Sequence, residues 1–125
     1  MDRIIDLPHE HSAPAAQQQI FEAMPSDEAI RLVSQALGQL GDPSRLRIFW
    51  LLCHTEECVA DIAAYVNMSS PAVSHHLRLL KSAGLLVSRR DGKEMLYRAA
   101  DSPLAGELHR IIERIAEISC PDAEG

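Results

Sequence analysis

At 125 residues, with 46% hydrophobic and 24% charged residues, the chain has the size of one small domain and the composition of a globular rather than a disordered protein. No apolar run approaches membrane-spanning length and no secretory leader opens the chain, so a cytoplasmic protein with no membrane partner is expected. Twelve Lys and Arg against eighteen Asp and Glu give a net charge of −6, which alone argues against nucleic acid, and three cysteines (Cys53, Cys58, Cys120) are too few for a disulfide framework.

Residues 1–25 read as a flexible N-terminal arm, punctuated by Pro8, Pro14 and Pro25, with a candidate short helix in "APAAQQQIFEAM". A core domain follows over residues 26–119. Ser26 is a candidate N-cap, and Ala29, Leu32, Val33, Ala36 and Leu37 recur at helical spacing up to Gly38 and Gly41. Asp42-Pro43 opens the next helix with a capping carboxylate and a proline in the first turn. Leu46, Phe49, Trp50 and Cys53 would mark its buried side, and "HTEEC" interrupts it.

Glu57 to Val59 predicts a short strand, and Ala60 to Val66 a short helix ending in the turn Asn67-Met68-Ser69. Ser69 or Ser70 caps the helix beyond, which carries Pro71 early, buries Val73, Leu77 and Leu80 on one face and closes at Gly84. "LLVSRR" and "KEMLYRA" predict two strands joined by a two-residue turn at Asp91-Gly92. After Ser102-Pro103 a last helix runs to about Ser119, with Leu104, Leu108, Ile111, Ile112, Ile115 and Ile118 in a wide apolar stripe. So small a domain cannot cover that stripe by itself, so a second copy of the chain is the expected partner. Residues 120–125 form a C-terminal tail.

The fold class expected is mainly α with a small β-hairpin. A helix, a tight turn and a second helix, followed directly by a hairpin, make a winged helix-turn-helix, dimerised through its terminal helices. In that motif the second helix enters the major groove and its early residues meet base edges. The charge distribution agrees. Between Ser70 and Arg98 lie six of the twelve cations but only two of the eighteen acids, Asp91 and Glu94. Ser69, Ser70, Ser74, His75 and His76 offer short donors and acceptors for bases and phosphates, Arg78 and Lys81 suit the backbone, and Arg89, Arg90 and Lys93 form a basic wing. The expected partner is double-stranded operator DNA. No enzyme is expected: Cys53 and His54 are helix neighbours pointing about 100° apart, which cannot make a nucleophile and its base.

The run "LGDPSRLRIFWLL…ECVADIAAYVNMSSPAVSHHLRLLKSAGLLVSRRDGKEMLYRAAD" resembles the ArsR/SmtB family of bacterial repressors over about residues 26–119. The resemblance implies a homodimeric repressor that leaves its operator on binding an inducer, usually a metal ion. It also implies where metal ligands sit. Glu57-Cys58-Val59-Ala60-Asp61 matches the pattern that supplies ligands in zinc sensors, at Cys58 and Asp61. The lead- and cadmium-sensing version has a second cysteine where this chain has Ala60, although cadmium and cobalt stay open beside zinc. The arm completes such sites, and here Pro8-His9-Glu10-His11 offers His9 and His11. His9, His11, Cys58 and Asp61 would hold zinc in tetrahedral geometry.

A second family site lies on the last helices. Asp101 and Glu117 match it, but Pro103 and Arg114 replace its imidazoles; His109 and Glu113, four residues apart, could form a displaced version. The alternative is a thiol switch. Family members carry cysteines in the regions of Cys53 and Cys120 that bind arsenic(III) or bridge on oxidation, if the two approach disulfide range.

Overall fold

The computed structural model describes Pro8 and residues 14–117. Its contacts fall into two compact units, Met1–Arg31 and Leu32–Gly125. In the first, α1 spans Pro14–Glu22, within the segment expected to be helical. Ser26 accepts a hydrogen bond from the Ala29 amide at 3.1 Å and so opens α2 (Asp27–Gln39), whose first turn carries Asp27 and Glu28 against the positive end of the helix dipole. The expected features at residues 1–7, 9–13 and 118–125, including His9, His11, Ile118 and Cys120, lie outside the described residues.

The second unit holds the core. The α3 helix (Pro43–Leu52) starts where Asp42 accepts from the Arg45 amide at 3.0 Å, with Pro43 in the first turn. Its buried face is Ile48, Phe49 and Leu52, whereas Leu46, Trp50 and Cys53 are only half-buried. The buried face is therefore rotated from the expected one. Nearly every position from Leu46 to Leu52 is apolar except Arg47, so periodicity cannot choose a side and packing does.

Strand β1 is Glu57–Cys58, and α4 (Val59–Val66) begins one residue earlier than expected. Asn67, at φ 56°, turns the chain in the left-handed region that asparagine tolerates. Ser69 then caps α5 (Ser70–Ser82), accepting from the Ala72 amide at 3.3 Å. Val73, Leu77 and Leu80 are almost fully buried. At the far end Gly84, at φ 79°, lets its own amide reach the Lys81 carbonyl and the Leu85 amide reach that of Leu80, each at 3.0 Å. Leu80 and Leu85 are both fully buried in the one core cluster, the placement that often accompanies this helix stop.

The hairpin of β2 (Leu86–Asp91) and β3 (Glu94–Ala99) is antiparallel, and β1 adds to its far side, giving the order β1-β3-β2. Asp91 pairs with Glu94, so the turn is Gly92-Lys93 and not Asp91-Gly92. Gly92 has φ 65°, the placement of a glycine at the first central position of a type II′ turn. Register follows the buried face: Leu86, 2% exposed, pairs with Ala99 against the core, and a one-residue slip would turn that face to solvent.

Finally α6 (Pro103–Ala116) starts at Ser102, which accepts from the Ala105 amide at 3.2 Å, and ends at Glu117 in the left-handed region. Of its stripe, Leu108 is buried and Leu104 and Ile112 are half-buried, but Ile111 and Ile115 are 46% and 79% exposed. Leu32, Val33 and Leu37 of α2 are exposed as well, which leaves Ala36 as that helix's buried residue. The unit thus carries apolar surface that its own fold does not cover. No helix among the described residues is long and apolar enough to cross a membrane.

Candidate DNA interface and metal ligands

The inward face of α5 fixes what its outward face presents. With Val73, Leu77 and Leu80 packed inside, Ser69, Ser70, Ser74, His75, Arg78 and Lys81 are exposed. Arg78 donates to His75 Nδ1 at 2.9 Å, and Arg45 approaches His76 Nδ1 at 3.4 Å. A guanidinium has no acceptor, so each Nδ1 must accept and each Nε2 carries the proton. Both rings are thereby set as donors, the polarity needed for phosphate oxygens and for the acceptor edge of guanine.

His76 differs from the expected surface residue, because it is half-buried at the start of α3. Burial, the leading influence, pushes its pKa below the usual histidine value; the charge of Asp42 opposes that, and those of Arg45 and His75 reinforce it. Arg45 also donates from Nε to the Gln39 carbonyl at 2.9 Å, so one guanidinium joins the end of α2 to α3 and α5. Asp42 is held below its ordinary pKa, chiefly by the Arg45 amide.

The wing divides in two. Alternation puts Val87 and Arg89 on one face, and Ser88 and Arg90 on the other. Lys81 donates to Ser88 Oγ at 2.6 Å, which ties α5 to the second face. On the first, Arg89 makes two hydrogen bonds to Glu56, at 2.9 and 2.7 Å, and Arg98 stands 4.0 Å from the same carboxylate. The hydrogen bond from Arg89 holds Glu56 below its ordinary pKa, and the Arg89 pKa rises in return. Arg89 is therefore an internal ion-pair partner before it is a DNA contact. Arg90 and Lys93 are exposed and carry no ion pair among the described residues. Sequence reasoning missed Glu56 and Arg45 as organisers of the head, since Glu56 meets its partner across 33 positions and no local pattern marks it.

Among the metal candidates, Cys58 is 9% exposed and sits at the N-cap of α4 without a side-chain capping bond. Asp61 is exposed in the same first turn, three residues on, the spacing that puts two side chains on one side of a helix. Their sulfur and carboxylate are two possible donor atoms, and no cluster of three ligands among the described residues includes them. Their arm partners His9 and His11 lie outside the described residues, as does Cys120; Cys53 is half-buried.

On α6, His109 and Glu113 do meet, with His109 Nε2 3.1 Å from Glu113 Oε2. Asp101 and Glu117 are exposed and stand outside that cluster. Its third member, His54, lies just beyond α3, with Nε2 3.1 Å from His109 Nε2 and 3.5 Å from Glu113 Oε2. Trp50 Nε1 donates to the same carboxylate oxygen at 3.3 Å. Desolvation raises the Glu113 pKa more than any other single influence, yet His109, Trp50 and His54 together hold it below the ordinary value.

A model of the bacterial regulatory protein arsR family matches residues 42–88, from the cap of α3 into β2. The chain is 34% identical over 109 residues to the HTH-type transcriptional repressor SmtB of Mycobacterium tuberculosis, spanning 86% of this chain and 78% of that protein. It is 33% identical over 94 residues to a homologue of the cadmium resistance transcriptional regulatory protein CadC of Staphylococcus aureus, 74% of each. It also superimposes, at a TM-score of 0.66 and 31% identity, on the homodimeric winged helix-turn-helix DNA-binding domain of a possible ArsR-family regulator from Mycobacterium bovis. That match covers 76% of this chain and 90% of the other.

Proposed function

The chain belongs to the ArsR/SmtB family of bacterial transcriptional regulators, and from that premise we propose that it is a homodimeric, cytoplasmic repressor that leaves its operator on binding a metal ion, zinc in the first instance. The observation that carries the DNA-binding part is the outward face of α5. Two histidines set as donors by arginines stand beside exposed serines, Arg78 and Lys81, with Arg90 and Lys93 on the wing beyond. Two such helices about 34 Å apart would read successive major grooves of a near-palindromic duplex. The exposed apolar residues of α2 and α6 offer a surface for a second copy, and the similar domain from Mycobacterium bovis is homodimeric.

For the metal, the reading uses Cys58 and Asp61 at the start of α4, completed by His9 and His11. The donor set mixes nitrogen, sulfur and oxygen, which suits zinc or cobalt. The relative named for cadmium resistance supports the metal class, while Ala60 in place of a second cysteine favours zinc over softer ions. A metal held by these residues would link the arm to α4, and regulation requires that it bind the DNA-incompetent state more tightly. A typical allosteric coupling of about 1–3 kcal/mol predicts a fall of roughly 5–150-fold in operator affinity on zinc addition. The test is fluorescence anisotropy on a duplex selected from a random library, titrated with and without zinc. Selection of no duplex removes the DNA reading; an affinity that ignores zinc removes the zinc reading alone. No observation among the described residues favours the thiol switch of Cys53 and Cys120, and release that survives their double replacement by serine excludes it.

A further inference from the structure

His54, just beyond α3, meets His109 and Glu113, which stand one turn apart in the middle of α6, across at least 55 positions of the sequence. The three facing atoms, His54 Nε2, His109 Nε2 and Glu113 Oε2, form a triangle with edges of 3.1, 3.1 and 3.5 Å. The side chains are 10%, 22% and 18% exposed, so water is largely but not wholly excluded.

Hydrogen bonds alone serve this triangle badly. It has three edges, and each Nε2 carries at most one proton. If both protons point at the carboxylate, two N–H groups face each other 3.1 Å apart. If one points at the other ring, that ring meets the carboxylate lone pair to lone pair. Trp50 already donates to the same oxygen. A cation placed among the three atoms satisfies every edge at once.

The dimensions match one. Nitrogen and oxygen ligands about 2.0–2.1 Å from a tetrahedral zinc lie roughly 3.3–3.4 Å apart, so the triangle is close to one face of that tetrahedron without rearrangement. Two imidazoles and a carboxylate are the donors preferred by borderline divalent ions. The fourth position has access to solvent: His54 and His109 line a groove of about 410 Å³ together with Cys53, Thr55 and Asp101. Trp50, donating to Glu113 and with its ring centroid 4.4 Å from that of His54, would orient two of the three ligands from outside.

We propose that His54, His109 and Glu113 form a binding site for zinc or a similar borderline divalent ion, contained within one protomer and separate from the Cys58 half-site. It is the one cluster of three such ligands among the described residues. Metal entry displaces the protons shared in the triad, leaves each imidazole protonated on Nδ1, and fastens α6 to the end of α3.

The experiment uses cobalt(II) chloride on the full chain, because cobalt reports its own coordination and quenches nearby fluorescence. Trp50 is the sole tryptophan. In the Cys58→Ser variant, which removes the thiolate of the other site, one cobalt per protomer should still bind. It should show the intense visible bands of four-coordinate cobalt and quench Trp50 with the same stoichiometry. Adding His109→Gln should remove that equivalent and the quenching. Equal binding and quenching with and without His109→Gln overturns the proposal, as does a Cys58→Ser protein that binds no cobalt. If the double variant fails to fold, hyperfine-shifted imidazole protons in the cobalt-loaded Cys58→Ser protein decide: two rings are expected, and fewer overturns it. Failure of the arm site is seen independently, as loss of the thiolate-to-cobalt band from the wild-type chain.

Discussion

The chain uses two histidine pairs, and their neighbours give them opposite chemistry. His75 and His76 sit on the reading helix beside Arg78 and Arg45, their ring centroids 5.7 Å apart. His54 and His109 sit between α3 and α6 beside Glu113, with centroids 4.8 Å apart. A guanidinium consumes the Nδ1 lone pair and repels a metal ion, so the first pair can only donate toward an anion. A carboxylate attracts a cation and converges with both Nε2 atoms, so the second pair can ligate. The residue type alone carries neither role; the charge one contact away does.

The largest effect that sharpens this contrast lies behind the first pair. Leu77 is 1% exposed under α5. Leu77→Ala should destabilise the fold by about 2–5 kcal/mol in urea unfolding, the usual cost of a cavity at a buried leucine. A loss well under about 1 kcal/mol would mean that α5 is not anchored as described and that its outer face is not held in place. Next, replacing both His75 and His76 by alanine should weaken specific operator binding by about 1–3 kcal/mol for each good hydrogen-bonded base pair no longer read. The same variant should keep its cobalt stoichiometry, and the disappearance of an equivalent would break the distinction between the pairs. On the wing, Arg90→Ala with Lys93→Ala should reduce the slope of log affinity against log salt by about 0.9 for each phosphate no longer neutralised. Arg89→Ala should instead act through the Glu56 pairing, with a smaller change in slope.

What could be read in the sequence was what neighbours in the chain decide. Asp42, Ser69 and Ser102 each cap a helix with proline in its first turn, as was expected at Asp42 and, with Ser70 as the alternative, at Ser69. Gly84 stops α5 where only a residue tolerant of positive φ fits. The pattern 73, 77, 80 placed the face of α5 because its other positions are mostly polar, whereas α3 is apolar nearly all round and its face was misjudged. The hairpin was expected, but its turn lies one residue further on, at Gly92-Lys93, where Gly92 supplies the positive φ of the first central position. Long-range pairs left no trace at all. Arg89 looked like a free wing cation until Glu56 met it, and His54 looked like the end of a helix until it met His109 across 55 positions.

The smallest predicted effect is a pH dependence carried by His76. Its pKa lies below the usual histidine value, with burial as the main cause. In the window between that lowered value and the unfolded value of about 6.5, the unfolded chain binds more protons at this position than the folded one. Stability therefore rises with pH through the window. The contribution of the neutral ring is complete above the unfolded value and is lost as pH falls through the folded one. His76→Gln removes the titration while keeping a polar side chain able to accept from Arg45. Urea unfolding at about pH 7.5 and about pH 5.5 should show the wild type losing more stability on acidification than the variant. Equal losses would mean that His76 takes up its proton as readily in the fold as out of it. The ring would then be a second surface cation, and the Arg45 contact would not be setting its tautomer.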